Sequence, residues 1–477
     1  MMKTGQIRLR NFRGYKTVSL KLEPLTVLIG PNSSGKSAFG HALAALAHAQ
    51  STHKGTVRAS LSPRDRVDAE SWPIDFGQYS NLVTRGTSDR IYIDLHTPEG
   101  WVELGFGAVK DTDGLVLSYI KHPLAPTASS HQSDNTAVAV PSLPVAESQT
   151  GTAAPLKVDA PGIQLIRPQI QLWHNPSEQE MRPGLNGLIL ETLRPQVSAT
   201  EISLSSYAQT DLQQLLENTV YLRGSRKRPA RDYQLGLGSP NPFGYAGEWT
   251  ASILHDVKQQ PVSYLVPPKY PETSHDATGL LDVPWEGREE SLKAAVGFWL
   301  EYMGLAQSVD TVESMRDKSM IELMVALRSE WGKRDLTEVG YGISQLLPVL
   351  AAGLKQSTKG VFVVDLPEAH LHPRPQSYLA DFFCSLALSG KTTIVETHSE
   401  MFFHRLRLNA AMNSSLLDKI AVYFCDPPDS DGMCREPRRV GLELDKQYEW
   451  PQGFLQEAWE VESQISAARE ARRLAKG

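Results

Sequence analysis

A glycine-rich loop near the start of the chain carries the clearest chemistry. Positions 30–37 read GPNSSGKS, which has the GxxxxGK[ST] spacing. Glycines at these points let the backbone form a nest of N–H donors around a polyphosphate. In such a loop Lys36 would reach the β- and γ-phosphates, and the Ser37 hydroxyl would bind Mg²⁺, so the pattern predicts a site for ATP and Mg²⁺. The predicted nucleotide-binding residues here are Gly30, Ser34, Gly35, Lys36 and Ser37.

The segments on either side would hold this loop in place. The apolar run at 25–29 predicts a strand that ends at the loop, and residues 38–50 have the composition of a helix. Strand, glycine loop and helix is the context that the motif requires. The helix would also direct its positive N-terminal end at the phosphates. An ordinary glycine turn before a helix is the alternative, and the matching flanks argue against it.

A second candidate ligand lies far along the chain. Residues 361–364 form a valine-rich apolar run that is typical of a buried parallel strand, and Asp365 follows it directly. An apolar strand ending in aspartate is the Walker B pattern, in which the carboxylate holds Mg²⁺ through water. Asp365 is therefore predicted to act on the metal together with Ser37.

Bulk composition limits the class of protein. A length of 477 residues suggests about two to four domains. The net charge of −6 gives no sign of nucleic-acid binding by the chain as a whole, but it does not exclude a local basic groove. The three cysteines have no zinc spacing, which fits a reducing compartment. No apolar run of about 18 residues or signal-peptide pattern occurs, so we expect a soluble, cytoplasmic protein without a membrane partner.

The N-terminal stretch resembles a known family. Residues 10–37 read RNFRGYKTVSLKLEPLTVLIGPNSSGKS, and alternating runs at 6–9 and 18–22 predict a β-hairpin before the loop. This stretch resembles the N-terminus of the RecF, SMC and OLD-family ATPases, which are ABC-type ATPases that are not transporters. Asn32 belongs to that pattern. The resemblance implies that Arg13 lies near the phosphates, whereas a solvated turn arginine fits the sequence equally well.

Three further segments resemble motifs of the same family. In ABC-type ATPases a glutamine about as far downstream as Gln78 reaches Mg²⁺ and the attacking water; a plain loop glutamine is the alternative. The stretch VGYGISQLLPVL, from position 339, resembles the signature motif, so Ser344 would cap the γ-phosphate held by the other subunit and Gly342 would allow its close approach. An ordinary glycine-rich N-cap is the alternative there. His398, after a strand predicted at 392–395, resembles the switch histidine that contacts the γ-phosphate; an ordinary surface histidine is the alternative.

One position departs from the family pattern. The stretch PEAHLHPRPQ, from position 367, resembles the RecF and OLD form, but the residue after the Walker B acid is usually glutamate and here is Leu366. Leucine can neither accept a proton nor orient water. Either Glu368 takes over that catalytic role, or hydrolysis is slow and the chain acts as an ATP-gated clamp.

The resemblance implies an α/β fold, namely an ABC-type P-loop ATPase head in which helices flank a mixed β-sheet. We expect the head at 1–110 and 331–425, a helical inserted lobe at 111–330 with a low-complexity loop at about 123–161, and a small C-terminal domain at 426–477. The family's habits further suggest a homodimer or higher homo-oligomer that controls an effector, a nuclease or toxin encoded nearby, in bacterial anti-phage defence. Two alternatives stay open: a RecF-type ATPase acting directly on DNA, and an ATP-binding scaffold that scarcely hydrolyses. For the basic cluster at 223–231, a structural or nucleotide-proximal role is favoured over nucleic-acid binding.

Overall fold

A computed structural model gives the fold of this chain. It describes residues 5–52, 83–84, 90–97, 100–108, 115–123, 157–159, 162–166, 181–186, 189–195, 202–203, 207–235, 241–269 and 281–442. Gln78, most of the low-complexity loop predicted at 123–161, and the part of the predicted C-terminal domain beyond residue 442 lie outside the described residues.

The described residues form seven α-helices and twenty-two strands. The helices are α1 Ser37–Thr52, α2 Tyr207–Glu217, α3 Thr250–Asp256, α4 Leu292–Tyr302, α5 Tyr341–Lys355, α6 Pro373–Leu388 and α7 Glu400–Met412. The strands before α2 are β1 Gly5–Phe12, β2 Tyr15–Leu22, β3 Leu25–Ile29, β4 Arg90–Thr97, β5 Gly100–Ala108, β6 Leu115–Pro123, β7 Lys157–Asp159, β8 Gly162–Ile166, β9 Met181–Asn186, β10 Ile189–Pro195 and β11 Ile202–Ser203. Those after it are β12 Val220–Leu222, β13 Tyr233–Gln234, β14 Pro261–Val266, β15 Glu286–Ser291, β16 Ser308–Glu313, β17 Met320–Ala326, β18 Lys333–Asp335, β19 Val361–Asp365, β20 Thr392–Glu396, β21 Ile420–Phe424 and β22 Arg438–Val440.

A six-stranded sheet in the order β12-β19-β20-β3-β21-β22 lies at the centre. Its first five strands are parallel, and only β22 runs antiparallel to its neighbour. Strands β3, β19, β20 and β21 are buried along their whole length, as their apolar sequences predict. The carboxyl ends of parallel strands meet at one edge, so the glycine loop after β3 lies beside the ends of β19 and β20.

Both faces of this sheet are covered. Along β19, Val361 and Val363 pack in a cluster with α1 and the N-terminal strands, whereas Phe362 and Val364 pack in a cluster with α4 to α7. Successive side chains of a strand point to opposite faces, which explains this division. The arrangement agrees with the predicted α/β head, a sheet between two apolar layers.

A seven-stranded antiparallel sheet, in the order β2-β1-β4-β5-β6-β8-β7, is built around the predicted N-terminal hairpin. That hairpin is confirmed: β1 and β2 pair from Gly5↔Leu22 to Phe12↔Tyr15. Its turn places Arg13 and Gly14 at positive φ, 48° and 87°. This tight turn brings Arg13 towards the central sheet.

The segment predicted as a helical lobe contains strands as well as helices. The helix predicted near 291–305 forms as α4, and the Ser291 side chain caps it by accepting a hydrogen bond from the Ala294 N–H at 3.2 Å. Around α3 and α4, however, strands β13 to β18 form two small antiparallel sheets. The described part of the lobe is therefore mixed, because the short alternating runs of β16 and β17 each pair with a sequence neighbour. No helix in the described ranges is long and apolar enough to cross a membrane.

Candidate functional site

The loop after β3 needs glycine at two positions. Gly30 has φ 140°, and a Cβ there would lie 2.3 Å from the Cys425 carbonyl oxygen. Gly35 has φ 88°, and a Cβ there would lie 2.6 Å from the Tyr15 hydroxyl. Positive φ together with backbone or ring crowding leaves no room for a side chain. The two glycines of the motif thus let the loop turn tightly against β21 and the N-terminal hairpin.

Lys36 lies buried in the centre of this loop. Its Nζ donates to the carbonyl oxygens of Gly30 at 3.1 Å and Pro31 at 2.5 Å, and it lies 3.5 Å from the Ser34 hydroxyl. Burial lowers the pKa of Lys36, while the nearby Glu396 carboxylate opposes that shift. The ammonium group is therefore held by weak carbonyl partners that a phosphate could replace.

Three buried carboxylates, Asp365, Glu368 and Glu396, stand at the carboxyl ends of β19 and β20; we call them the carboxylate cluster. Asp365 and Glu396 are register partners across the two parallel strands. Their exposed fractions are 9 %, 7 % and 9 %, and burial raises the pKa of Glu368 and of Glu396, the latter also through repulsion from Asp365. The cluster lies close to the loop, because the Ser37 hydroxyl and the Lys36 ammonium act on Glu396. Both lower the pKa of Glu396 and so oppose the effect of burial.

Asp365 is held by two groups that the sequence did not indicate. The Tyr221 hydroxyl, on β12, donates to Asp365 Oδ2 at 2.6 Å, and His41 Nε2, on α1, lies 3.4 Å from the same oxygen. His41 also contacts the Arg13 guanidinium through its Nδ1. Burial lowers the pKa of both His41 and Arg13. Arg13 therefore packs into the site through His41, and does not project from a solvated turn.

Arg226 supports the turn after β19 by hydrogen bonds to its backbone. It is only 4 % exposed, and its guanidinium donates to the carbonyl oxygens of Asp365 at 3.1 Å and Leu366 at 2.8 Å. Leu366 has φ 46°, and its N–H donates to the Glu396 carbonyl at 2.8 Å. Arg226 thus has a structural role at the turn that follows Asp365, which agrees with the structural or nucleotide-proximal role expected of the basic cluster. Its neighbours Lys227 and Arg228 are exposed.

Glu368 and His398, which the sequence analysis proposed for separate roles, lie together. The backbone N–H of His398 donates to Glu368 Oε1 at 2.8 Å, and Glu368 Oε2 has no hydrogen-bond partner among the described residues. The His398 imidazole is solvent-exposed and interacts with the Gly30 carbonyl. Burial and the Lys36 charge lower the pKa of His398. Both side chains are therefore next to the loop, one buried and one at its open side.

The signature-like segment forms the start of α5. Gly340 and Tyr341 are exposed, and no side chain caps this helix end. The Ser344 hydroxyl is buried and donates to the Tyr341 carbonyl at 2.7 Å. A Cβ on Gly342 would lie 2.7 Å from the His370 carbonyl oxygen, so glycine is needed there for packing on the turn after Asp365. Contact of this segment with a nucleotide stays a prediction.

The structure thus brings most predicted site residues to one edge of the sheet. The loop residues Gly30, Asn32, Ser34, Gly35, Lys36 and Ser37 lie beside Arg13, Asp365, Glu368 and His398, and Gly342 and Ser344 start a separate helix. Sequence reasoning missed Glu396, Tyr221 and His41, and it considered Arg226 only as part of the basic cluster; the one signal for Glu396 was an acid ending a buried strand. Within the described ranges, no group of three or more His, Cys, Asp or Glu side chains could hold a metal ion unaided.

These features define a P-loop nucleotide-binding protein: a strand followed by a phosphate-type loop and a helix, with acids at the ends of neighbouring parallel strands. The family model described as an AAA ATPase domain matches residues 2–116 and 299–403, which include both halves of this site. The match covers less than half of the chain, and it supports the resemblance to P-loop ATPases. A comparison with curated proteins finds no match.

Among the solved structures that match this chain are SMC head domains and a RecF protein. The SMC head domain from Thermotoga maritima is 10% identical, with a TM-score of 0.34, covering 92% of this chain and 99% of its own. An Smc head domain with an extended coiled coil, bound to the C-terminal domain of ScpA derived from Pyrococcus furiosus, is 10% identical with a TM-score of 0.35, covering 98% and 100%. The recombination mediator protein RecF is 10% identical with a TM-score of 0.36, covering 91% and 98%.

Proposed function

We propose that this chain binds ATP with Mg²⁺ and hydrolyses it while two copies close around the nucleotides. The observation that carries the proposal is the meeting of Lys36 and Ser37 with the buried carboxylate cluster. These groups come from three distant parts of the chain and lie at one edge of a parallel sheet. A purely structural role would leave several buried acids next to a phosphate-type loop without a reason.

The residues present fit a bound Mg²⁺. One oxygen of Glu396, beside the Ser37 hydroxyl, lies buried without a hydrogen-bond partner among the described residues, and a buried charged oxygen without a partner is costly. Ser37 would hold the ion through its hydroxyl, and Asp365 would hold it through water. Mg²⁺ would withdraw charge from the phosphate oxygens during transfer.

Glu368 is the residue that we assign to the attacking water, in place of the glutamate that Leu366 replaces. Its Oε1 is fixed by the His398 N–H, and its Oε2 is left to accept a hydrogen bond from water. Burial raises the pKa of Glu368, which makes this carboxylate a stronger proton acceptor. His398, exposed beside the Gly30 carbonyl, would contact the γ-phosphate.

The exposed start of α5 supports the dimer. A helix end without a side-chain cap presents free N–H groups and a partial positive charge, which suit an anion. In the proposed assembly this end and Ser344 of one copy face the ATP held by Lys36 of the other. ATP would favour the closed pair by contacts that only the γ-phosphate provides.

The decisive test is nucleotide binding and single-turnover hydrolysis. Lys36→Ala should lose ATP binding, because no other side chain of the loop can meet the β- and γ-phosphates with a positive charge. The exposed Lys359→Ala, in the turn after α5, is the matched control and should bind like the wild type. Unchanged affinity in Lys36→Ala would contradict the proposal.

The biological role that we propose for this ATPase is control of a partner effector, a nuclease or toxin, in anti-phage defence. It is supported by the family resemblance and by the ATP-dependent closure proposed above. Plating of phage on bacteria that carry this gene with its neighbours tests it: protection should vanish with Lys36→Ala and persist with Lys359→Ala. Equal protection by both variants would contradict a defence role that depends on ATP binding by this chain.

A direct role on DNA has less support. Arg226 is buried against the carbonyls of Asp365 and Leu366, so only its exposed neighbours can meet phosphates. Salt-dependent DNA binding that falls in the double variant Lys227→Ala, Arg228→Ala would favour the RecF-type alternative.

A further inference from the structure

Glu396 is the member of the carboxylate cluster for which the family motifs provide no role. It ends β20 and is the parallel register partner of Asp365, which ends β19. Its side chain is nine-tenths buried, and its Oε2 has no hydrogen-bond partner among the described residues. A buried carboxylate oxygen without a hydrogen-bond partner destabilises the fold unless a ligand binds to it.

The two register partners have different surroundings. The Asp365 carboxylate already accepts the Tyr221 hydroxyl at 2.6 Å and lies 3.4 Å from His41 Nε2. The Glu396 carboxylate instead faces the glycine loop, where it interacts with the Ser37 hydroxyl and the Lys36 ammonium. Of the two acids, Glu396 is the one beside the hydroxyl that would ligate the metal.

We infer that Glu396 is a further acidic ligand of the Mg²⁺ that accompanies ATP, acting through its free oxygen beside Ser37. Asp365 then acts mainly as the acceptor that fixes Tyr221 and His41 behind the metal. Oxygen donors of this kind, a hydroxyl and a carboxylate supplemented by phosphate oxygens and water, are what Mg²⁺ prefers. The inference rests on the proposed ATP binding, and it assigns the metal to an acid that the Walker B pattern does not include.

The Mg²⁺-dependent gain in nucleotide affinity tests this assignment. A fluorescent ATP analogue is titrated into wild type and Glu396→Gln, once with Mg²⁺ and once with EDTA. The amide keeps the shape and removes the charge, so the gain on adding Mg²⁺ should shrink about tenfold or more, while the affinity in EDTA is retained. Glu313→Gln, on the exposed part of β16, is the matched control and should keep the whole gain.

A second readout follows the ion itself. Mn²⁺ binding in the presence of ATP, measured by electron paramagnetic resonance, should weaken in Glu396→Gln and be partly restored in Glu396→Asp. Retained EDTA affinity shows that each variant is folded, and Glu396→Asp alone decides the question if the glutamine variant does not fold. A wild-type Mg²⁺ gain and wild-type Mn²⁺ affinity in these variants would overturn the assignment of Glu396. Absence of ATP binding in the wild type would instead overturn the proposed function, and this inference with it.

Discussion

The carboxylate cluster and the amino end of α5 are the two halves of the proposed site, and they are built in opposite ways. In the cluster every acid is buried, and groups of the same chain hold Asp365 and Glu368. At α5, Gly340 and Tyr341 are exposed and no side chain caps the helix. One half is thus preorganised within a single copy, and the other presents free backbone donors to solvent.

The contrast indicates where a second copy would act. Buried polar groups in the cluster can be completed by a small ion and a phosphate, which need little surface. The exposed N–H groups at the start of α5 can bind an anion from another molecule, and the triphosphate held by a second copy is such an anion. Variants of the cluster, of the arginine that supports it and of α5 should therefore have different effects.

Glu368→Gln should have the largest effect on chemistry. Replacing the acceptor by an amide should slow single-turnover hydrolysis about 100-fold, because general-base help of this size is lost. ATP binding should persist, since no loop residue changes. The control is Glu313→Gln. Rapid hydrolysis that survives in Glu368→Gln would place the catalytic base elsewhere, and negligible hydrolysis by the wild type would favour the scaffold alternative.

Arg226→Ala should loosen the cluster as a whole. It removes the donors to the carbonyls of Asp365 and Leu366, and unpaired buried carbonyls cost about 1–3 kcal/mol. The free energy of unfolding in urea should fall by that amount, and hydrolysis should slow. Arg228→Ala, at an exposed neighbour, should change neither. Equal stability of the two variants would mean that Arg226 does not support the turn.

Ser344→Ala should weaken dimerisation and leave the affinity of a single chain for ATP unchanged. Each hydroxyl contact to a γ-phosphate is worth about 1.4 kcal/mol and the variant dimer loses two of them, so ATP-induced dimerisation should weaken about 100-fold. Sedimentation velocity with ATP measures this shift. Thr358→Ala, exposed near the other end of α5, is the control. A weakened dimer in the absence of nucleotide would indicate a packing defect, because the Ser344 hydroxyl also bonds the Tyr341 carbonyl.

The parts of the fold that depend on local pattern were predictable from the sequence. The hairpin, the loop with its strand and helix, and the apolar strands that end in Asp365 and Glu396 are all encoded by neighbouring residues. Tyr221 and Arg226 were not, because their partners lie far away in sequence and meet only when β12 pairs with β19. In the inserted lobe the run at 320–327 was predicted as a strand and forms β17. Other strands of the lobe were missed for a related reason: short alternating runs become strands only once they pair.

The placement of Gly342 shows another limit. The resemblance assigned this glycine a role in close approach to a nucleotide, whereas the structure shows a packing reason, because a Cβ there would lie 2.7 Å from the His370 carbonyl oxygen. A motif indicates which residue is needed, and only the fold shows which neighbour requires it.

A mixing experiment tests the shared site most directly. Lys36→Ala removes the phosphate-binding lysine, and Gly340→Glu places a negative charge at the exposed start of α5, where a Cβ would meet no atom within 4 Å. Each variant alone should be inactive in single-turnover hydrolysis. Mixed, they should recover about a quarter of wild-type activity, because random pairing leaves one intact site in half of the dimers. No recovery from two folded variants would contradict a site shared between two copies.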